Sequence, residues 1–125
     1  MLRLSEFRLN RHMGQWAFGL QRVTGLLLVL YLAPHILLNG TAILYGPEAY
    51  NDLAGRLSTP FAHGVELAAI AAVLLHLVNG VRIVLMDLFA LSRQQKRITA
   101  VFGAATVAAV AAAFAYLIPR WWGGP

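Results

Sequence analysis

The sequence predicts an all-α integral membrane protein with three transmembrane helices, and three observations carry that prediction. Of 125 residues, 59% are hydrophobic and only 12% charged, with a mean hydropathy of +0.66, too apolar for a water-soluble domain of this length. Three runs are each long enough, at about 20 apolar residues, to cross a bilayer core: residues 17–44, 60–89 and 98–118. Cationic residues gather at the connections expected on one side of the membrane.

That charge distribution also excludes a nucleic-acid reading of the net charge of +5. Arg3, Arg8, Arg11 and Arg22 precede or open the first run, and Arg82, Arg93, Lys96 and Arg97 cluster around the connection after the second. Only Arg56 lies between the first and second runs, and only Arg120 follows the third. The positive-inside rule therefore puts the N-terminus in the cytoplasm and the C-terminus on the far side. With no cysteine, disulfides, thiolate-held iron-sulfur clusters and covalent c-type haem are excluded within the chain. The N-terminus lacks the short apolar core and cleavage site of a secretory signal and is expected to be retained.

Taken in order, residues 1 to about 15 alternate Leu2, Leu4, Phe7 and Leu9 with charged residues, as a surface arm does. Trp16 marks an interface, and the first helix follows, with a bend expected at Pro34. Gly46-Pro47 ends it, and PEAYNDLAGRL reads as a short surface helix with proline in its first turn. Thr59-Pro60 caps and opens the second span. Ser92 to Arg97 is a polar turn, and the third span is expected to stop before Pro119, with Trp121-Trp122 in the far interfacial belt. This last span is rich in alanine and carries no Asp, Glu, Lys, Arg or His, so its expected work is close packing against another helix.

Function is concentrated where ionisable residues interrupt the apolar runs, because such residues are costly in lipid and call for a partner, a cofactor or a pathway. The segment Leu74–Asp87, LLHLVNGVRIVLMD, places Asn79, Gly80, Ile83 and Asp87 within roughly 80° of His76 on a helix. A neutral imidazole beside a position without a side chain suits an axial ligand against a flat macrocycle, and His76 is read chiefly as a haem-iron ligand with Gly80 as the gap. The alternative is a hydrogen bond that glues two helices.

His35 has a stripe of its own, with Thr24, Leu28, Tyr31 and Asn39 near its face. It is 13 residues beyond Arg22, about 20 Å, whereas His76 is six residues before Arg82, about 9 Å. With both arginines at one membrane edge, the imidazoles lie at different depths and serve different irons. Taking Asp87 as the marker shrinks the difference to about 4 Å. His35 is accordingly read either as a ligand to a second haem or as a hydrated or quinone-bonding residue near the far interface. Arg22 and Arg82 end apolar runs, and each either snorkels to headgroups or contacts a haem propionate or a quinone oxygen. Asp87 either relays protons or pairs with Arg82 or Arg93. Glu66 is expected in an interface pair, and His12 and His63 on the surface. No nucleophile with its base, phosphate loop or zinc motif is present in the sequence.

Arg22-Val-Thr-Gly25 at the start of one span and His76-x-x-x-Gly80-x-Arg82-x-x-x-x-Asp87 at the end of the next resemble the cytochrome b membrane-anchor subunit of succinate dehydrogenase, respiratory complex II. The resemblance implies partners: a flavoprotein that oxidises succinate, an iron-sulfur subunit, and a second anchor subunit that shares haem b and quinone. By position, it makes His76 a haem ligand, Arg22 a quinone-site arginine and Asp87 an acid on the proton-access side. Gln21 stands where many relatives have histidine, and Phe18 where the family has its quinone-site serine. His35 resembles the first-span histidine of the two-haem branch, whose members often use menaquinone. The expected role is electron transfer from the iron-sulfur subunit to quinone in a bacterial or archaeal cytoplasmic membrane. Alternatives are a haem-free structural anchor, or a cytochrome b subunit of fumarate reductase or another quinone-linked complex. Three helices without cysteine cannot close or feed such a site unaided, so the chain is expected to form part of a heteromeric bundle.

Overall fold

The computed structural model describes residues 13–123, and helices account for nearly all of them. Helix α1 spans Met13–Tyr45, α2 Pro47–Leu57, α3 Pro60–Leu88 and α4 Gln95–Trp122. No strand occurs among the described residues. The expected N-terminal arm, with Arg3, Arg8, Arg11 and His12, lies outside them.

Helices α1, α3 and α4 are each long and apolar enough to span a bilayer. Helix α3 is the centre of the bundle, packing along both α1 and α4, while α2 lies on α1. The bundle thus has a basic end, where α1 begins and α3 hands over to α4, and a far end that carries α2.

The turns follow local chemistry. Gly46 adopts φ +90, a conformation that costs glycine little, and Pro47 starts α2. Thr59 caps α3 by accepting a hydrogen bond from the Ala62 amide at 3.2 Å, with Pro60 at the first helical position. Between α3 and α4 the chain turns through Ala90 at φ +50 and one 3-10 turn, Leu91–Gln94.

Helix bounds differ from expectation at three places. Helix α1 starts at Met13 rather than near 17, with Pro34 inside it. Helix α4 takes in Gln95, Lys96 and Arg97, which the polar pattern assigns to the turn, and continues through Pro119 to Trp122. Arg, Lys and Gln are good helix formers, so the hydropathy edge and the helix edge need not coincide. Pro119 falls in the last turns, where its missing donor costs one bond, and the residues beyond it are held by side chains. Arg120 donates to the Tyr116 carbonyl at 2.8 Å and lies 3.5 Å from the Tyr116 ring centroid, and Trp121 stacks on His63 at 5.0 Å.

Little is buried within the chain. The core is Leu67, Ala69 and Ala72 with Thr24, Arg82 and Thr106, while Leu26, Val29, Leu30, Leu37 and many other large apolar side chains face outward. A surface of this kind needs lipid or other apolar helices around it.

Candidate functional site

The polar side chains of the inner faces meet near the basic end, in a chain of hydrogen bonds that crosses three helices. It starts at His76, half-buried on α3. Thr24 on α1 donates its hydroxyl to the Leu20 carbonyl at 2.8 Å, as a helical threonine commonly does. Its oxygen, 3.2 Å from His76 Nδ1, is therefore available as an acceptor, and the proton belongs on Nδ1. The Gln21 amide nitrogen lies 3.3 Å from Nε2, which in this tautomer offers its lone pair. Both contacts suit the tautomer with its proton on Nδ1.

From Gln21 the chain continues through Asn79. Asn79 Nδ2 donates to Gln21 Oε1 at 3.0 Å and to the Ala17 carbonyl at 2.6 Å. Arg82 Nε donates to Asn79 Oδ1 at 2.9 Å, and Arg82 Nη1 reaches Thr99 Oγ1 on α4 at 2.9 Å and Met86 Sδ at 3.3 Å. Six residues separate His76 from Arg82, a rotation of about 120° in helical projection. His76 thus meets α1 while Arg82 meets α4.

Two glycines shape the His76 contact. A Cβ on Gly25 would sit 3.1 Å from His76 Cε1, and one on Gly80 would sit 3.0 Å from Gln21 Nε2. Gly25 lets α1 approach the ring. Gly80 does make a notch, and the Gln21 amide of this same chain fills it.

Of the other expected site residues, Arg82 belongs to this network, while Arg22, Asp87 and His35 lie apart from it. Arg22 is exposed, its guanidinium 4.7 Å from the Phe18 ring centroid. Asp87 is exposed and, among the described residues, forms no ion pair with Arg82 or Arg93. Arg82 is only 3% exposed, so it does not snorkel. His35 is exposed, its ring 5.5 Å from Tyr31 and its carbonyl bonded by Asn39 at 2.8 Å. Thr24, on the same face of α1 as His35, contacts His76.

His35 follows Thr24 by 11 residues, so the two histidines are separated by about 16 Å along α1. His35 lines a groove of about 580 Å³ between α1, α2 and the start of α3. In that far region Glu66 pairs with His63 at 3.4 Å, as an interface acid is expected to pair. His63 corrects the surface reading: its side chain is 19% exposed, stacked on Trp121 and edge-on to Trp122 at 5.6 Å.

Sequence reasoning missed Gln21 and Thr99 as network members, since each lies on a different helix from His76 and Arg82 and only packing brings them together. Periodicity did bring out Asn79. The donor chemistry of His76 fits a haem iron: a neutral imidazole with Nδ1 held by a hydrogen bond presents Nε2, the usual arrangement for a metal-binding histidine. Gln21 is the side chain that must swing aside, and it is long and flexible. Among the described residues no group of three or more His, Cys, Asp or Glu side chains is placed to hold a metal ion.

Comparison with known proteins also gives membrane subunits. Residues 2–114 match the family described as succinate dehydrogenase/fumarate reductase transmembrane subunit. Succinate dehydrogenase 2 membrane subunit SdhC of Mycobacterium tuberculosis is 28% identical over 85 residues, 68% of this chain and 62% of that protein. The succinate dehydrogenase hydrophobic membrane anchor subunit of Halobacterium salinarum is 36% identical over 76 residues, 60% of this chain and 58% of that protein. The match thus spans less than two thirds of either relative's length. With the family model covering most of the sequence and three apolar helices of spanning length, the chain belongs to the succinate dehydrogenase/fumarate reductase transmembrane subunit family.

Proposed function

We propose that the chain is a membrane-anchor subunit of succinate:quinone oxidoreductase that supplies haem b ligands and part of a quinone site, with its N-terminus in the cytoplasm. Electrons would come from an iron-sulfur subunit fed by a flavoprotein, and a second anchor subunit would complete the cofactor sites. The observation that carries this reading is the placement of His76, with the Thr24 hydroxyl against Nδ1 and Nε2 turned to the Gln21 amide that fills the Gly80 notch.

In this reading Thr24 fixes the His76 ring plane and raises its basicity, and Gly25 holds α1 against the ring. The haem, when bound, supplies a one-electron carrier. His35, some 16 Å away along α1, is the candidate ligand for a second haem, which would make a relay across the bilayer to quinone, with menaquinone the proposed type. Arg22, exposed beside Phe18, is proposed to face the quinone, where a fixed guanidinium favours the reduced oxygen. Asp87 at the basic end is the candidate proton donor for quinone reduction, which consumes two protons. Arg82 points away from His76 toward α4, so its proposed contribution to a haem pocket is indirect, through Asn79.

The test is a visible spectrum of the purified, reduced complex. A bis-histidine b-type signal that disappears in His76→Ala supports the assignment, and its absence from the wild type rejects it. Co-purification with a flavoprotein and an iron-sulfur protein tests the assembly. Gln21 in the notch favours a second reading, a haem-free anchor in which His76 is interhelical glue; the same spectrum separates the two. Succinate oxidation and fumarate reduction are both within the family, and redox potentials assign the direction.

A further inference from the structure

On the side of α3 away from His76, a cavity of about 540 Å³ opens between α1, α3 and α4. Its volume is within the range of roughly 300–1,000 Å³ of small-molecule sites. Its walls are mostly apolar, with Leu20, Leu75, Phe102 and Val107 among them, and its one charged lining residue, Arg82, lies with Asn79 and Thr99 toward the basic end. Along α4 the lining runs from Thr99 to Val107, about 12 Å. Such a site suits an amphiphile with its head at the basic end and a chain pointing into the bilayer.

Charge selects the head. Arg82 is 3% exposed, its guanidinium donates to the neutral groups of Asn79, Thr99 and Met86, and no described carboxylate lies within 4 Å of it. A buried cation with neutral partners only is costly and is relieved by an anion nearby. Lys96 is exposed, one turn before Thr99 and about 60° from it in helical projection, on the face that bears Gly103 and Val107. Arg93 is exposed in the adjoining turn, and Gln94 gives α4 no side-chain cap, leaving first-turn N–H groups positive.

We infer that this cavity binds one anionic phospholipid from the leaflet at the basic end, with its phosphate at Lys96 near Arg82 and an acyl chain between α1 and α4. The lipid covers the Arg82 region, fills space that α1 and α4 leave open, and ties the start of α4 to the bundle. The site shares Asn79 and Arg82 with the polar network, but neither His76 nor the exposed Arg22 lines it.

Native mass spectrometry tests it on the full chain, purified in mild detergent with the subunits that accompany it and titrated with phosphatidylglycerol or phosphatidylcholine. One phosphatidylglycerol per chain is expected to persist where phosphatidylcholine is stripped. Gly103→Leu fills the cavity, and since nothing lies within 4 Å of a Cβ there the fold should survive; retention should drop about tenfold. Lys96→Gln should erase most of the preference for phosphatidylglycerol, and Ala105→Leu, on the opposite face of α4, should change nothing. Equal retention of the two lipids, indifference to Gly103→Leu, or a photo-crosslinker at position 103 that captures a partner subunit instead of lipid would each overturn the inference.

Discussion

His76 and His35 both interrupt apolar runs of bilayer length, yet they meet opposite surroundings in the fold. Thr24, which holds His76, and His35 are 11 residues apart on α1 and share one helical face to within about 20°. At the Thr24 level α1 and α3 are in contact: Thr24 is 3% exposed, Gly25 has no room for an unstrained Cβ, and both imidazole nitrogens are engaged. At the His35 level α2 and the start of α3 leave a groove, and the imidazole makes no hydrogen bond among the described residues. The separation of the helices, and not the helical face, decides whether a histidine is locked or available.

The proposed cofactor chemistry and the stability of the network can be set against each other. The largest effect is expected for His76→Ala, which should abolish the b-type absorbance of its site, read in reduced-minus-oxidised spectra. His35→Ala should remove a different spectral component and leave the melting temperature almost unchanged. Equal destabilisation by the two substitutions would break the contrast between a locked and an available ring.

Asn79→Ala comes next. It deprives Arg82 Nε and Gln21 Oε1 of their partners, and leaving buried polar groups unsatisfied costs about 1–3 kcal/mol. Thermal unfolding of the purified complex measures this, and a loss confined to haem content would show that the network is not structural.

Thr24→Val keeps the side-chain shape but leaves His76 Nδ1–H without an acceptor, at a cost of about 1 kcal/mol. In the haem-bound protein it should also raise the reduction potential, because a less basic imidazole stabilises the ferric state less. Gly25→Ala should disturb this site more than Gly80→Ala: both neighbours are held by two hydrogen bonds, but a Cβ at 25 meets a rigid ring at 3.1 Å, whereas one at 80 meets the far end of a flexible side chain at 3.0 Å. The reverse order, scored by haem content or melting, would place the restraint on Gln21 instead.

The smallest effect belongs to the far end. Trp121→Ala removes the stack on His63, worth about 0.5–1.5 kcal/mol. It should loosen the last turns of α4 beyond Pro119, detected as faster amide exchange there with the His76 spectrum unaltered.

The sequence by itself determined the class and the number of helices, because apolar runs of bilayer length and the Gly46-Pro47 and Thr59-Pro60 turns are local signals. It also determined that His76 and Asn79 share a face, since helical periodicity is fixed by the backbone. Only the tertiary structure decided what those faces meet. Gln21 in the Gly80 notch, Thr24 against His76, Arg82 turned to Thr99, and His63 under Trp121 all depend on the rotation and depth of one helix against another. Those quantities arise from packing summed over whole helices, where small residues such as Gly25 allow close approach, and no single segment encodes them.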